Sequence, residues 1–78
     1  MNRRPKPVNL MNDVELVECL ASYIGLTFQD IKKFFKEEID GQAFLLMDKK
    51  DLSYLGLLDK YSQICLLFPY GKFVDGFI

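Results

Sequence analysis

The side chains that could do chemistry in this chain are few, and their spacing leaves them without partners. The 78 residues include no histidine, which removes imidazole acid–base chemistry and imidazole metal ligation. The two cysteines, Cys19 and Cys65, stand far apart in apolar periodic runs. They offer no zinc-ligand spacing and are expected to be buried free thiols. Ser22, Ser53 and Ser62 have no general base at motif spacing. The glycines occur singly, where helices stop, and form no phosphate-cradling loop. Asp40, Asp48, Asp51 and Asp59 hint at a cation site, but their intervals do not fit a calcium loop. Helix capping accounts for each of them. The expectation is a protein that is not an enzyme and has no cofactor and no metal.

What remains is the chemistry of surfaces. Glu37, Glu38, Asp40, Asp48 and Asp51 fall around the central stretch 37–57. They form a candidate acidic face that would steer a basic partner; the alternative is an ordinary solvated face. A second candidate surface is Leu57, Leu58, Lys60, Tyr61 and Ser62, at the start of the last helix. Two adjacent leucines do not easily point inward together. Leu58 is therefore the expected exposed anchor, with Tyr61 beside it; the alternative places both leucines in the core.

Helical elements must position these groups. Asn12 with Glu15 has capping-box spacing. Val14, Val17, Leu20, Ala21 and Ile24 then recur at three- and four-residue steps, which predicts a first helix that stops at Gly25. Thr27 is the expected N-cap of a second helix, with Asp30 in its first turn and Phe28, Ile31, Phe34 and Phe35 as its buried face. Asp40 is placed to cap a short third helix running from Gln42 to about Met47, whose Ala43, Phe44, Leu46 and Met47 are expected to be buried. Asp48 with Asp51 opens a fourth, which turns Leu52 and Leu55 inward and ends at Gly56. Asp59 is the expected cap of a fifth helix holding Ile64, Leu67 and Phe68. Pro69 and Gly71 predict a break or kink there, with Phe73, Val74, Phe77 and Ile78 extending an apolar face beyond it. No run alternates apolar and polar residues long enough for a strand. The fold class is all-α, a compact bundle of five short helices.

Half of the residues are apolar and 14% aromatic, which fits one small globular domain over residues 12–78. Residues 1–11 are expected to be a flexible basic arm, either a linker or a native tail. Arg3, Arg4 and Lys6 give this end a charge of +3, leaving −4 for the rest of a chain of net −1. That balance disfavours a general nucleic-acid binder. The opening residues lack the apolar core of a signal peptide, and the longest apolar run, residues 64–68, is too short to span a bilayer. The expected location is intracellular, in cytoplasm or nucleus.

The run Glu-Ile-Asp-Gly-Gln-Ala-Phe-Leu-Leu at 38–46, Asp51-Leu52 and Leu55-Gly56-Leu57 together resemble the sterile alpha motif (SAM) family. The likeness covers roughly residues 13–68 and includes Val14 with Cys19-Leu20 and the turn Ile24-Gly25-Leu26. It implies a SAM-type protein–protein interaction module in an adaptor or scaffold of signalling type. The partner would be another SAM domain or a second copy, giving homo- or hetero-oligomerisation. Head-to-tail contact in that family joins a mid-domain surface, often acidic, to the N-terminus of the last helix, often basic. Carried over, these are the two residue sets named above. The chain departs from the family pattern in lacking a tryptophan near the start of the first helix. It also lacks the glycine and basic residue that usually open the last helix, and Pro69 interrupts that helix. Two alternatives stand beside this reading: an RNA-hairpin binder using Arg3, Arg4, Lys6 and Lys60, and a structural element associating through its apolar C-terminal tail.

Overall fold

Four side-chain caps divide the chain. In the computed structural model, which describes residues 6–76, α1 spans Asp13–Tyr23 and opens on a reciprocal box. Asn12 Oδ1 accepts from the Glu15 N–H at 2.8 Å, and Glu15 Oε1 accepts from the Asn12 N–H at 3.0 Å. Helix α2, Phe28–Lys36, opens on the same device built from Thr27 and Asp30. Helix α3, Gly41–Leu45, is capped by Asp40, whose Oδ1 accepts from the Ala43 N–H at 2.8 Å. Helix α4, Lys49–Tyr54, opens on the box of Asp48 and Asp51. Each cap satisfies amides that a helix start otherwise leaves unpaired. Helix α5, Tyr61–Leu67, differs: it has no side-chain cap and grows out of a 3-10 turn, Leu58–Lys60. Asp59 lies inside that turn rather than at a helix cap, and its carboxylate meets Lys60 Nζ at 3.4 Å. Among the described residues the architecture is five α-helices with short 3-10 turns and no strand.

Two of the helices end alike. After α4, Gly56 takes φ +79°, its N–H donates to Ser53 O, and the Leu57 N–H donates to Leu52 O at 2.9 Å. After α2 the same pair of bonds is made by Glu38 and Ile39 onto Phe35 and Phe34, with Glu38 at φ +52°. Glycine takes this left-handed position freely, whereas glutamate pays a steric cost for it. In both closures an apolar residue past the turn meets one from the last turn, Leu57 with Leu52 and Ile39 with Phe34, and all four are buried.

The core centres on Phe44 of α3. Its ring lies 6.2 Å from Phe34, 5.7 Å from Phe68 and 5.3 Å from Phe73, centroid to centroid. Leu16, Leu20, Leu52, Leu55, Leu57 and Ile64 complete it. Three expected faces are corrected. On α1 the buried residues are Leu16, Val17 and Leu20, while Val14 and Ala21 are exposed. On α2 only Phe34 of the aromatic set is buried; Phe28 is 72% exposed and Phe35 lies at the surface. On α3 Leu46 faces solvent.

The N-terminal segment is also corrected within the described residues. Residues 6–11 are not a free arm: Val8–Leu10 forms a 3-10 turn packed on α3, and Val8 is buried. Gly41 explains the docking. Its N–H donates to Met11 O at 2.9 Å, and a Cβ there would stand 1.6 Å from Val8 O. Only glycine lets the two backbones approach so closely. Arg3 and Arg4 lie outside the described residues.

The break expected at Pro69 is present. Helix α5 ends at Leu67, a turn closes through the Gly71 N–H onto Phe68 O at 3.0 Å, and a 3-10 segment, Lys72–Gly76, returns to the domain. It delivers Phe73 to the core, fully buried, and the Tyr61 hydroxyl donates to Phe73 O. Phe77 and Ile78 lie outside the described residues.

Candidate interaction surfaces

All five residues of the acidic set are exposed. Glu37, Asp48 and Asp51 are attached to the two ends of α4, whereas Asp40 caps α3 and Glu38 lies in the turn after α2. Glu37 closes α2, and its Oε2 accepts from the Tyr54 hydroxyl at 3.2 Å, at the last residue of α4. Lys33 Nζ donates to Tyr54 O at 3.2 Å and sits over the Tyr54 ring. Asp48 and Asp51 form the cap at the opposite end. Six residues of helix separate the two groups, a distance of about 9 Å at 1.5 Å per residue.

The carboxylates are not idle charges. Asp40, Asp48 and Asp51 accept backbone amides as caps. The Asp51 N–H holds the Asp48 carboxyl below the ordinary carboxylate range, and the Lys50 N–H and the Lys72 ammonium add to the effect. Lys49 and Lys50 interleave with the acids along the chain. The face is therefore mixed in sign, with Asp40, Asp48 and Asp51 fixed in place by the helix starts.

The second set divides. Leu57 is fully buried, and Tyr61 is buried with its hydroxyl committed to Phe73 O. Neither belongs to a surface, which corrects the expectation for both. Tyr61 turns inward because the returning C-terminal segment supplies the acceptor its hydroxyl needs. Lys49 Nζ lies 5.2 Å from the centre of the Tyr61 ring and covers it. Leu58 is 45% exposed. Ser62 is exposed, and Lys60 is half-buried beside Asp59. What reaches solvent at the start of α5 is thus Leu58, Ser62 and the Asp59 carboxylate, with the Lys60 ammonium already paired to it.

Other exposed apolar groups were missed by the sequence reading. Leu66, 74% exposed, is the largest case on α5. Helical spacing could have found it, because a core face at 61, 64, 65 and 68 leaves 62, 63 and 66 outward. A cleft of about 360 Å³ opens between the N-terminal segment, α1 and the end of α5. Val8, Met11, Cys19, Tyr23, Leu67 and Tyr70 wall it, and Lys6 stands at its edge. Burial pushes the Cys19 thiol up from its ordinary value, which keeps it protonated and unreactive at neutral pH.

Cys19 and Cys65 are both free. Among the described residues no group of three or more His, Cys, Asp or Glu side chains is placed to hold a metal ion. No described helix is long and apolar enough to cross a membrane. Models of known protein families, curated proteins and solved structures all return no match to this chain.

Proposed function

We propose that the chain is a SAM-like protein-interaction module that assembles head to tail, with a second copy or with another SAM domain, inside an intracellular adaptor or scaffold. The observation that carries this reading is the division of the leucine pair before α5: Leu57 closes the core while Leu58 stands in solvent. An exposed leucine on the 3-10 turn directly after a buried one suits an interface anchor. The acids at the two ends of α4 supply the matching face, and Leu58 would seat among them with Ser62 and Lys60 alongside. Phe73 is buried in the chain's own core, so it presents no exposed apolar surface to a partner. The described cations that an RNA reading would use are each neutralised, Lys6 by Glu15 and Lys60 by Asp59.

Sedimentation of the chain, alone and mixed with other SAM domains, tests the proposal with two variants. Leu58→Glu should abolish assembly. Asp48→Asn keeps the cap, removes one charge and should weaken assembly by a few-fold, about the 0.2–1 kcal/mol of an exposed pair, and more so at low salt. Assembly unchanged in both variants would sink the assignment.

A further inference from the structure

Helix α2 has two unlike faces. Asp30 and Phe34 are buried against the domain. Phe28, Lys32, Phe35 and Lys36 recur at three- and four-residue steps and so form one outward stripe. All four are exposed, Phe28 at 72% and Phe35 at 40%. Lys32 Nζ stands 5.3 Å from the centre of the Phe28 ring. Among the described residues no carboxylate comes within ion-pair distance of Lys32 or Lys36. The acids nearest in sequence are engaged elsewhere or lie beyond the helix. Asp30 is buried and accepts from the Thr27 N–H. Glu37 accepts from the Tyr54 hydroxyl of α4, and Glu38 stands in the left-handed turn past the helix end. Residues 19–29, which lead into the stripe, carry no charge. A chain of net charge −1 thus shows, on one helix face, two exposed rings and two ammonium groups without a carboxylate.

We propose that this face of α2 lies on an anionic lipid surface. Phe28 and Phe35 enter the boundary between headgroups and acyl chains, and Lys32 and Lys36 meet the lipid phosphates and carboxylates. Charge complementarity selects an anionic partner, because the stripe's own charges are both positive and neither is met within the chain. The rings select a soft one. Phe28 and Phe35 stand seven residues apart on a convex helix, about 10 Å along its axis. A rigid partner needs two pockets at that spacing, whereas a bilayer takes in rings wherever they project. The helix is held parallel to such a surface by its buried face, so the rings need no ordering on contact. Two rings and two lysines make a weak, reversible attachment, on the order of the 10⁴ M⁻¹ of a single acyl anchor. This contact does not rest on the head-to-tail reading and uses different residues.

Co-sedimentation of the whole chain with vesicles tests it, using phosphatidylcholine alone and phosphatidylcholine with roughly 30% phosphatidylserine. The expected result is binding to the anionic vesicles that is at least about tenfold tighter than to the neutral ones and weakens as salt rises. Lys32→Gln with Lys36→Gln should weaken it about 25-fold, about fivefold for each lysine. Phe28→Ser should weaken it about tenfold through lost burial, while Phe28→Leu should keep most of it. These side chains are exposed, so every variant should keep the parent's circular dichroism. The chain has no tryptophan, so Phe28→Trp supplies a single reporter on the stripe. Its emission should move to shorter wavelength with anionic vesicles and be quenched by brominated lipid. No binding at about 1 mM lipid, equal binding to both vesicles, or binding that survives Phe28→Ser overturns the proposal. So does a Phe28→Trp protein that sediments with vesicles while its emission stays unshifted. Vesicle binding that is absent while an RNA hairpin binds through Lys32 and Lys36 also overturns it and assigns the face to nucleic acid.

Discussion

Replacing Gly41 with alanine sets two physical expectations against each other. Helix propensity favours the change, because Gly41 is the first residue of α3 and alanine is worth up to about 1 kcal/mol over glycine in a helix. Packing forbids it. The new Cβ would lie 1.6 Å from Val8 O and 2.7 Å from Val8 C, backbone atoms that cannot rotate away. Relief requires residues 6–11 to lift from α3. Lifting them returns Val8 to water, a loss of about 1.5–3 kcal/mol. It also breaks the bond from the Gly41 N–H to Met11 O, about 1 kcal/mol more. After subtracting the propensity gain, the variant should be destabilised by about 2 kcal/mol, or by about 10 °C in Tm for a domain of this length. That is a large share of the roughly 3–5 kcal/mol such a core provides. Urea denaturation followed by circular dichroism measures it. Deleting residues 1–10 removes the obstructing backbone, so in that background the same substitution should be neutral or stabilising. A Gly41→Ala protein as stable as its parent would refute the argument.

Three further outcomes follow from particular contacts. Tyr61→Phe leaves Phe73 O without its buried donor and should cost about 1 kcal/mol in denaturant midpoint, with the m-value unchanged. Glu38→Gly relieves the left-handed position at φ +52°; after the added freedom of the unfolded chain it should stabilise by about 0.5 kcal/mol, and a loss of stability would show that the turn is not strained. In acid, Glu15 and Asp48 both have carboxyls below their ordinary range, Glu15 first through the Asn12 N–H and then through Lys6, and Asp48 first through the Asp51 N–H. Their contribution is therefore present above the unfolded carboxylate value and is lost as pH falls through the folded values. A melting temperature that stays level from neutrality down to pH about 4, then drops, is the expected profile, and the drop should shrink in Asp48→Asn.

The features legible in the sequence are those settled within a few residues. Asn12 with Glu15, Thr27 with Asp30, Asp48 with Asp51 and the single cap Asp40 all work at three-residue spacing, and each forms. The break at Pro69 is equally local, because the ring removes an amide whatever surrounds it. Side-chain faces were harder to read. Val14 and Phe28 fit their helical stripes but point outward, since the rotation of a short helix is decided by what packs on it. Asp59 resembles the other capping aspartates, yet the chain between Leu57 and Tyr61 coils into a 3-10 turn that places it elsewhere. Val8 and Tyr61 are buried by partners far along the chain, Gly41 in one case and Phe73 in the other. No local pattern announces either pairing, and together they account for two surface assignments that changed: the arm that docks and the tyrosine that leaves the interface.

The same economy of caps bears on how an acidic face can be tested here. A docking charge and a helix cap are usually separate residues, so a charge reversal reports on docking alone. In this chain Asp40, Asp48 and Asp51 are caps, and the same three belong to the proposed docking face. Asp48→Lys or Asp48→Ala would remove the acceptor for the Asp51 N–H and cost about 1 kcal/mol of cap energy. Helix α4 holds Leu52, and the turn after it holds Leu57, both fully buried. Loosening its first turn would therefore disturb the core behind Leu58 and weaken any contact there, even a contact the charge never touched. Asparagine separates the two roles, because it caps as well as aspartate and carries no charge. If Asp48→Asn assembles like the parent while Asp48→Ala does not, the carboxylate serves the fold and the docking face lies elsewhere. If both weaken assembly alike and Asp48→Asn keeps the parent's melting temperature at neutral pH, the charge itself meets a partner.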